Sequence, residues 1–229
     1  MKTSNKLFTI LLAVIFISII ATIIVPVIMS CTFSHEITGN GVHAKKTYEL
    51  SNFNTIDMKT SGDIKIIIGN KNQVQLSGDS NILPYVTHQL KNKILLLQEN
   101  KNFRTKLPLK ITITAKTLNK FILSGAGNIQ LSGINNKHFF IESNGFGNIE
   151  ATGKTDNLKI ETNGAGNINC KDLIAENVNV NTTGVGNIVL YAKSTLNATV
   201  TGIGNVAYYG NPKKINRNIS GIGSLGAGK

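Results

Sequence analysis

The strongest constraint on the fold is a short glycine motif that returns six times in the second half of the chain. Each copy reads Gly-x-Gly-Asn followed by an aliphatic residue, except the last, in which Ser replaces Asn. The first glycines of successive copies lie 20, 19, 20, 18 and 19 residues apart. A repeat of this length and regularity is typical of architectures that stack one supersecondary unit many times. The motif glycines and asparagines are Gly125, Gly127, Asn128, Gly145, Gly147, Asn148, Gly164, Gly166, Asn167, Gly184, Gly186, Asn187, Gly202, Gly204, Asn205, Gly221 and Gly223.

The segments between the copies carry alternating apolar and polar side chains, the pattern of a half-buried β-strand. Ile129-Gln130-Leu131 follows the first copy, and Phe121 and Leu123 precede it with the same period of two. These segments are short and rich in β-branched residues, which favours strand over helix. Glycine supplies the positive φ of a tight corner, and asparagine tolerates the left-handed conformation. The sequence therefore predicts an all-β parallel β-helix, or solenoid, with coils of about 19 residues stacked around one core.

Stacking of the coils assigns structural roles to the motif asparagines and to one cysteine. The asparagine of each copy falls above that of the previous coil, so the amides are predicted to form a hydrogen-bonded ladder. Cys170 shares the inward phase of Leu131 and Leu190. It is therefore predicted to be a buried small hydrophobe and not a nucleophile. We interpret the motif residues as architecture and not as a ligand site.

Residues 42–120 are less regular and are predicted to form an irregular β cap on the regular coils of residues 121–229. Alternation such as Ile64-Lys65-Ile66 indicates strands, and no segment shows a helical period. Ser61-Gly62-Asp63 and Ser77-Gly78-Asp79 are both interpreted as degenerate copies of the corner motif. Cap and coils together are predicted to be one domain, residues 42–229, because the terminal coil of a solenoid needs a cover.

The first thirty residues differ from the rest and predict export. Lys2 and Lys6 precede Leu7–Met29, which runs 23 residues without a charge, long enough to span a bilayer. Ser30-Cys31 resembles the end of a bacterial lipobox, which makes Cys31 a lipidation candidate. Residues 1–30 are therefore a signal peptide or a membrane anchor: a lipoprotein signal, an uncleaved anchor or a simply cleaved signal. Each alternative places the domain outside the cytoplasm, after a linker at residues 31–41.

The motif copies and their flanks resemble one known family over residues 42–225. The resemblance rests on the Gly-x-Gly-Asn-Ile copies, on the entry Phe53-Asn54-Thr55-Ile56 and on the ending Tyr208-Tyr209-Gly210-Asn211-Pro212. With these features the chain is similar to the putative auto-transporter adhesin head GIN domain family. The resemblance implies a right-handed parallel β-helix in an exported bacterial envelope protein. It also implies an adhesin-like role.

The positive charge of the chain is unevenly placed and predicts an anionic partner. The chain has 24 Lys and Arg against 12 Asp and Glu, a formal net charge of +12. An exported basic surface is suited to acidic polysaccharide, lipopolysaccharide or phospholipid head groups; the alternative is a solvated face that keeps sheet edges from pairing. Nucleic acid is not expected, since the chain lacks basic and aromatic residues in alternation. The candidate polyanion-binding residues are Lys91, Lys93, Lys101, Arg104, Lys106 and Lys110.

Only one pair of carboxylates invites a catalytic interpretation. Glu142 and Glu161 lie three residues before the first glycine of their copies and are predicted to stack on adjacent coils. Two such carboxylates about 5 Å apart occur in retaining glycosidases, where mutual repulsion raises one pKa. The neighbouring copies hold Ile122 and Asn181 instead, so no acidic groove is evident. The four histidines share no metal-ligand spacing, and no phosphate-binding loop is present.

These observations predict a non-enzymatic, membrane-anchored envelope protein that binds surfaces or glycans. One alternative is a structural envelope protein that associates with itself or packs on another envelope component. A less favoured alternative is a polysaccharide-degrading enzyme that uses Glu142 and Glu161. The sequence predicts neither a cofactor nor a metal, and it leaves the oligomeric state open.

Overall fold

The computed structural model describes residues 36–228. The predicted signal peptide or anchor of residues 1–30 and the lipidation candidate Cys31 lie outside these residues. Between residues 36 and 228, no helix is long and apolar enough to cross a membrane. The strands of this region are β1 Ile37–Thr38, β2 His43–Glu49, β3 Thr55–Lys59, β4 Ser61–Ile68, β5 Gln73–Asp79, β6 Val86–Lys91, β7 Ile94–Glu99, β8 Phe103–Arg104, β9 Lys110–Ala115, β10 Lys120–Leu123, β11 Ala126–Ser143, β12 Phe146–Thr162, β13 Ile168–Thr182, β14 Ile188–Val200, β15 Ile203–Tyr209, β16 Lys214–Ile219 and β17 Ile222–Ala227.

The structure confirms the predicted all-β solenoid, with about five stacked parallel turns. Each coil contributes one strand segment before the Gly-x-Gly corner and another after it. We call the sheet built from the first set side A and the sheet built from the second set side B. Phe121 on side A pairs in parallel register with Ile141 of the next coil, and Ile129 on side B pairs with Ile149. Register shifts within the long strands β11–β13, as between Leu131 and Ile134, separate side B from a short third side.

The cap continues both side A and side B, and the part of it that pairs with the regular coils is itself a coil with a corner. Strands β3 and β4 pair in parallel with β10 and β11, which sets Gly62 against Gly127 and Asp63 against Asn128. The first degenerate corner is therefore confirmed. Side A continues through β7 and the antiparallel β6, and side B continues through β9 and the antiparallel β5 and β2. The hairpin between β6 and β7 turns at Asn92 and Lys93, whose φ angles of 53° and 62° are those of a type I′ turn.

The interpretation of Ser77-Gly78-Asp79 as a second degenerate corner is wrong. These residues end β5, which runs antiparallel to β2 and β9 inside side B. Asp79 is fully buried, and its carboxylate accepts backbone hydrogen bonds from Gly41 at 2.6 Å, Lys106 at 2.8 Å and Leu107 at 3.0 Å. Asp79 therefore joins the start of the domain to the loop before β9.

The inward side chains of all coils form one continuous core from the cap to the last turns. Phe121 and Phe139 are the largest of its fully buried members, and Cys170 lies among them with no exposed surface. Burial raises the pKa of the Cys170 thiol to about 12. The thiol therefore stays protonated and unreactive at neutral pH.

The motif asparagines are hydrogen-bonded from coil to coil along the exposed corner. Asn167 Nδ2 donates to Asn148 Oδ1 at 3.1 Å, and the backbone N–H of Asn187 donates to Asn167 Oδ1 at 3.0 Å. Asn205 repeats this bond to Asn187 at 3.2 Å, and the hydroxyl of Ser224 closes the series on Asn205 at 2.7 Å. The amides of Asn148, Asn167 and Asn187 thus each satisfy a backbone donor that the corner would otherwise leave to solvent.

The buried Asp79 predicts an acid-sensitive part of the stability. Burial opposes its charge, but hydrogen bonds from the backbone of Leu107, Gly41 and Lys106 outweigh burial and lower the Asp79 pKa below its usual 3.8. A carboxyl group whose pKa is lower in the folded state stabilises the protein at pH values above its pKa in the unfolded chain. This stabilisation is lost as the pH falls through the pKa of the folded state. We expect Asp79→Asn to destabilise the protein at about pH 6 and progressively less towards about pH 3 in urea unfolding. A difference from wild type that stays constant across this range would refute the expectation, and the exposed Asp172→Asn is the control.

Candidate functional site

A shallow groove on the outer surface of side A is the candidate site that combines amide, aromatic and lysine side chains. It has a volume of about 490 Å³ and crosses neighbouring coils of the solenoid. Its walls are mainly amide side chains arranged at the coil repeat, with the outward rings of His138 and Phe140 and one lysine. These outward lining residues are Asn119, Asn157, Asn177, Asn179, Asn197, His138, Phe140 and Lys159.

The strand period explains why an aromatic ring lies on this surface. Phe139 and Phe140 are consecutive in β11, so one ring must point into the core and the other outward. Phe139 is buried, whereas Phe140 is half-buried on the outer face. The parallel register places Phe140 between Lys120 of the previous coil and Lys159 of the next.

Two lysines contact the Phe140 ring. Lys120 Nζ lies 4.5 Å and Lys159 Nζ 4.6 Å from the ring centroid, both within cation–π distance. The same outward row continues into the cap, because Lys120 pairs with Thr55, Thr55 with Ile94, and Ile94 with Lys91. The Phe140 ring therefore lies between two lysines of this row, and the uncharged Thr55 and Ile94 separate them from Lys91.

Glu142 and Glu161 stack in register on side A, but each carboxylate is bound by a lysine. Lys120 Nζ lies 2.8 Å from Glu142 Oε2, and Lys159 Nζ lies 2.8 Å from Glu161 Oε1. The hydrogen bond from Lys120, with a second from Asn144, lowers the pKa of Glu142. A general acid needs a raised pKa, so Glu142 is not perturbed in the direction that this one role requires.

The six predicted polyanion-binding residues do not form one surface. Lys91 ends β6 on side A and Lys93 lies in the adjoining turn, whereas Lys110 lies in β9 on side B. There Lys110 and Lys65 border a second groove of about 400 Å³. The remaining three lie in or near the loop between β7 and β9: Lys101 over the Tyr85 ring at 5.5 Å, Arg104 in β8, and Lys106 with its backbone N–H on Asp79.

Sequence reasoning missed Phe140 and its two lysines as a unit. Lys120, Phe140 and Lys159 are 20 and 19 residues apart and meet only through the coil register. The available signal was the Phe139-Phe140 pair, since alternation forces one of two adjacent rings outward. Among the described residues, no group of three or more His, Cys, Asp and Glu side chains could hold a metal ion.

Comparison with known proteins agrees with this architecture. The profile of the family described as "Putative auto-transporter adhesin, head GIN domain" matches residues 52–212. A crystal structure of a putative adhesin from Bacteroides fragilis is 26% identical, covers 83% of this chain and 99% of that chain, and superposes with a TM-score of 0.71. A putative adhesin from Parabacteroides distasonis is 17% identical, covers 84% of this chain and 100% of that chain, and has a TM-score of 0.50, which shows a similar fold. A search of curated proteins gives no match.

Proposed function

Because the chain belongs to the putative auto-transporter adhesin head GIN domain family, we propose that it is a non-enzymatic, adhesin-like protein of the bacterial cell envelope. It is held outside the cytoplasm by its N-terminal apolar run or by a lipid on Cys31. Its binding surface is the groove on side A, and the ligand is an acidic polysaccharide.

The observation that carries this proposal is the combination of Phe140, Lys159 and amide side chains in one groove. An aromatic face packs on the C–H face of a sugar ring, and amides both donate and accept hydrogen bonds with sugar hydroxyls. An ammonium group binds the carboxylate of an acidic sugar. All three kinds of contact that an acidic polysaccharide needs are therefore present within a few coils.

The ion pairs already present on side A do not block such a ligand. The Lys120 and Lys159 side chains are 33% and 50% exposed, so solvent weakens their attraction to Glu142 and Glu161. A surface pair of this kind contributes about 0–1 kcal/mol. A carboxylate of the ligand can therefore share or replace these contacts at small cost, which leaves the lysines available for binding.

The regular spacing of the lining residues suits an extended chain more than a single sugar. Outward side chains recur along the axis at the strand spacing of about 4.8 Å. Successive units of a linear polymer can then bind successive coils, and several weak contacts add up through their linkage.

We expect the full chain in detergent to bind polygalacturonate and not the neutral polymer dextran. Binding should weaken as salt rises from about 50 to about 300 mM, because charges on the ligand are screened. Phe140→Ala and the double variant Lys120→Ala/Lys159→Ala should each weaken binding about tenfold, equivalent to about 1.4 kcal/mol. Isothermal titration calorimetry or glycan-coated biosensors measure both effects.

The control removes the same charge from side B. Lys65→Ala/Lys110→Ala lies on side B and should leave polygalacturonate binding within about twofold of wild type. Equal losses in both double variants would mean that only bulk charge matters and would refute the groove as the site. Absence of binding to polygalacturonate by the folded wild-type chain would refute the proposed ligand class.

A further inference from the structure

The variable residue of the Gly-x-Gly motif forms an exposed apolar ridge along the solenoid corner. Four members are large and strongly exposed: Phe146 at 67%, Val185 at 54%, Ile203 at 52% and Ile222 at 75%. Parallel bridges through Ala165 stack them in one file from coil to coil. We call this file the corner ridge. Side chains of this kind in water carry a cost that a covering surface would remove.

The residues on either side of the corner ridge are uncharged but polar. Each ridge residue has a glycine on both sides, so its side chain projects without neighbours along the chain. The residues just outside these glycines are amides or hydroxyls in every copy. They are Ser124, Asn144, Asn163, Thr183, Thr201 and Ser220 before the motif, and Asn128, Asn148, Asn167, Asn187, Asn205 and Ser224 at its end. Burying this strip therefore desolvates no charge.

The shape of the corner ridge favours a fluid surface over a rigid protein partner. Five steps of about 4.8 Å give a single file only about 24 Å long. A stable protein interface needs about 800 Å² on each partner, arranged as a complementary patch. A narrow apolar file between hydrogen-bonding rows instead matches the interface of a bilayer, where apolar side chains enter individually and polar groups stay at head-group level.

The N-terminal segment limits the distance between the domain and a bilayer. The uncharged run Leu7–Met29 ends eight residues before Ile37, where β1 begins. Eight extended residues reach roughly 25–30 Å at most. After this run the chain has 22 Lys and Arg against 12 Asp and Glu, and this formal charge of +10 adds attraction to anionic lipids. A domain tethered this closely meets the membrane continually, so the effective concentration of the bilayer at the ridge is high.

We propose that the corner ridge inserts into the interfacial layer of the membrane to which the N-terminal run attaches, and so fixes the orientation of the solenoid on that membrane. The inference rests on the membrane anchoring in the proposed function and is independent of the polysaccharide ligand. The occupant is the phospholipid surface itself.

The test places a polarity-sensitive fluorophore on the ridge of the full chain in vesicles. Cys31→Ser combined with Val185→Cys leaves one reactive thiol among residues 31 to 228, since Cys170 is buried. After reconstitution into phosphatidylcholine/phosphatidylglycerol vesicles, quenching by doxyl-labelled phospholipid should be at least about threefold stronger at position 185 than at a control label on Lys193→Cys. The Lys193 side chain is 65% exposed, and quenching by aqueous iodide should show the opposite order.

A variant of the corner ridge and a vesicle flotation assay distinguish insertion of the ridge from anchoring by the N-terminal segment. Phe146→Ser/Ile203→Ser/Ile222→Ser should return lipid quenching at position 185 to the value at position 193; these side chains are exposed, so the fold is retained. Equal quenching at both positions in chains that float with the vesicles overturns the ridge inference and leaves anchoring intact. Wild-type chains, which keep Cys31, overturn the anchoring and the inference together if they fail to float. Protection from both quenchers that grows with the protein-to-lipid ratio means that a second copy covers the ridge, which also overturns the inference.

Discussion

Gly166→Ala is expected to lower the melting temperature by roughly 10 °C, because the new Cβ has no room within the stack of coils. An ideal Cβ at Gly166 would lie 1.7 Å from the carbonyl oxygen of Gly147, and its φ of +143° is one that side chains rarely adopt. The obstructing atoms are backbone, so relief requires the coils to separate. Separating these two coils would strain the hydrogen bond from the Gly147 N–H to the Ala165 carbonyl, which is 3.0 Å long.

The magnitude follows from adding backbone strain to the disrupted stacking. Strained φ values cost about 1–3 kcal/mol, and lost hydrogen bonds raise the expected total to about 3–5 kcal/mol. In a protein of this size, each kcal/mol shifts the melting temperature by about 2–4 °C. Thermal unfolding followed by circular dichroism measures the change.

Gly226→Ala is the matched control for this substitution. Nothing lies within 4 Å of an ideal Cβ at Gly226. We expect its melting temperature to stay within about 2 °C of wild type. If Gly166→Ala and Gly226→Ala have the same melting temperature, the backbone contact between coils does not require glycine at the corner.

Phe139→Ala is expected to lower the free energy of unfolding by about 3–5 kcal/mol, the usual cost of removing a buried phenyl ring. Phe139 is 1% exposed and packs in the continuous core. The cavity forms inside stacked coils whose spacing is fixed by backbone hydrogen bonds, so the surroundings collapse poorly. Urea unfolding at neutral pH gives the difference.

Phe140→Ala makes the same chemical change one residue later, on the opposite face of the sheet. We expect it to cost about 1 kcal/mol, since it loses the contacts with Lys120 and Lys159 but opens no cavity. We therefore expect Phe139→Ala to lose stability but to keep polygalacturonate binding while it is folded. Phe140→Ala should keep most of its stability but lose binding. Equal losses of stability would contradict the assignment of the two rings to opposite faces.

The degenerate corners show how far a sequence motif carries and where it fails. Ser61-Gly62-Asp63 and Ser77-Gly78-Asp79 share the same three residue types. The first pairs in parallel with β11 and forms a corner, whereas the second ends an antiparallel strand and buries its aspartate. Identical local signals led to different structures because the strands that pair with them differ, and pairing partners in the cap are distant in sequence.

The candidate site shows the same division between local pattern and register. Alternation alone assigns Phe140 to one of two faces, but its contact with both lysines depends on which residues of adjacent coils become neighbours. The basic stretch from Lys91 to Lys110 looked continuous in the sequence, yet its ends lie on different sides of the solenoid. Charge density along the chain therefore did not predict charge density on the surface.

The sequence by itself determined the strands, the coil length, the glycine corners and the inward position of Cys170. Each of these depends on a local pattern repeated at a fixed interval, and in a solenoid the neighbours of one repeat are copies of it. Only the tertiary structure decided the antiparallel extensions of the cap, the burial of Asp79, and the meeting of Lys120, Phe140 and Lys159. These features arise from pairings between residues far apart or one coil apart, where a shift of one residue would turn every side chain to the other face.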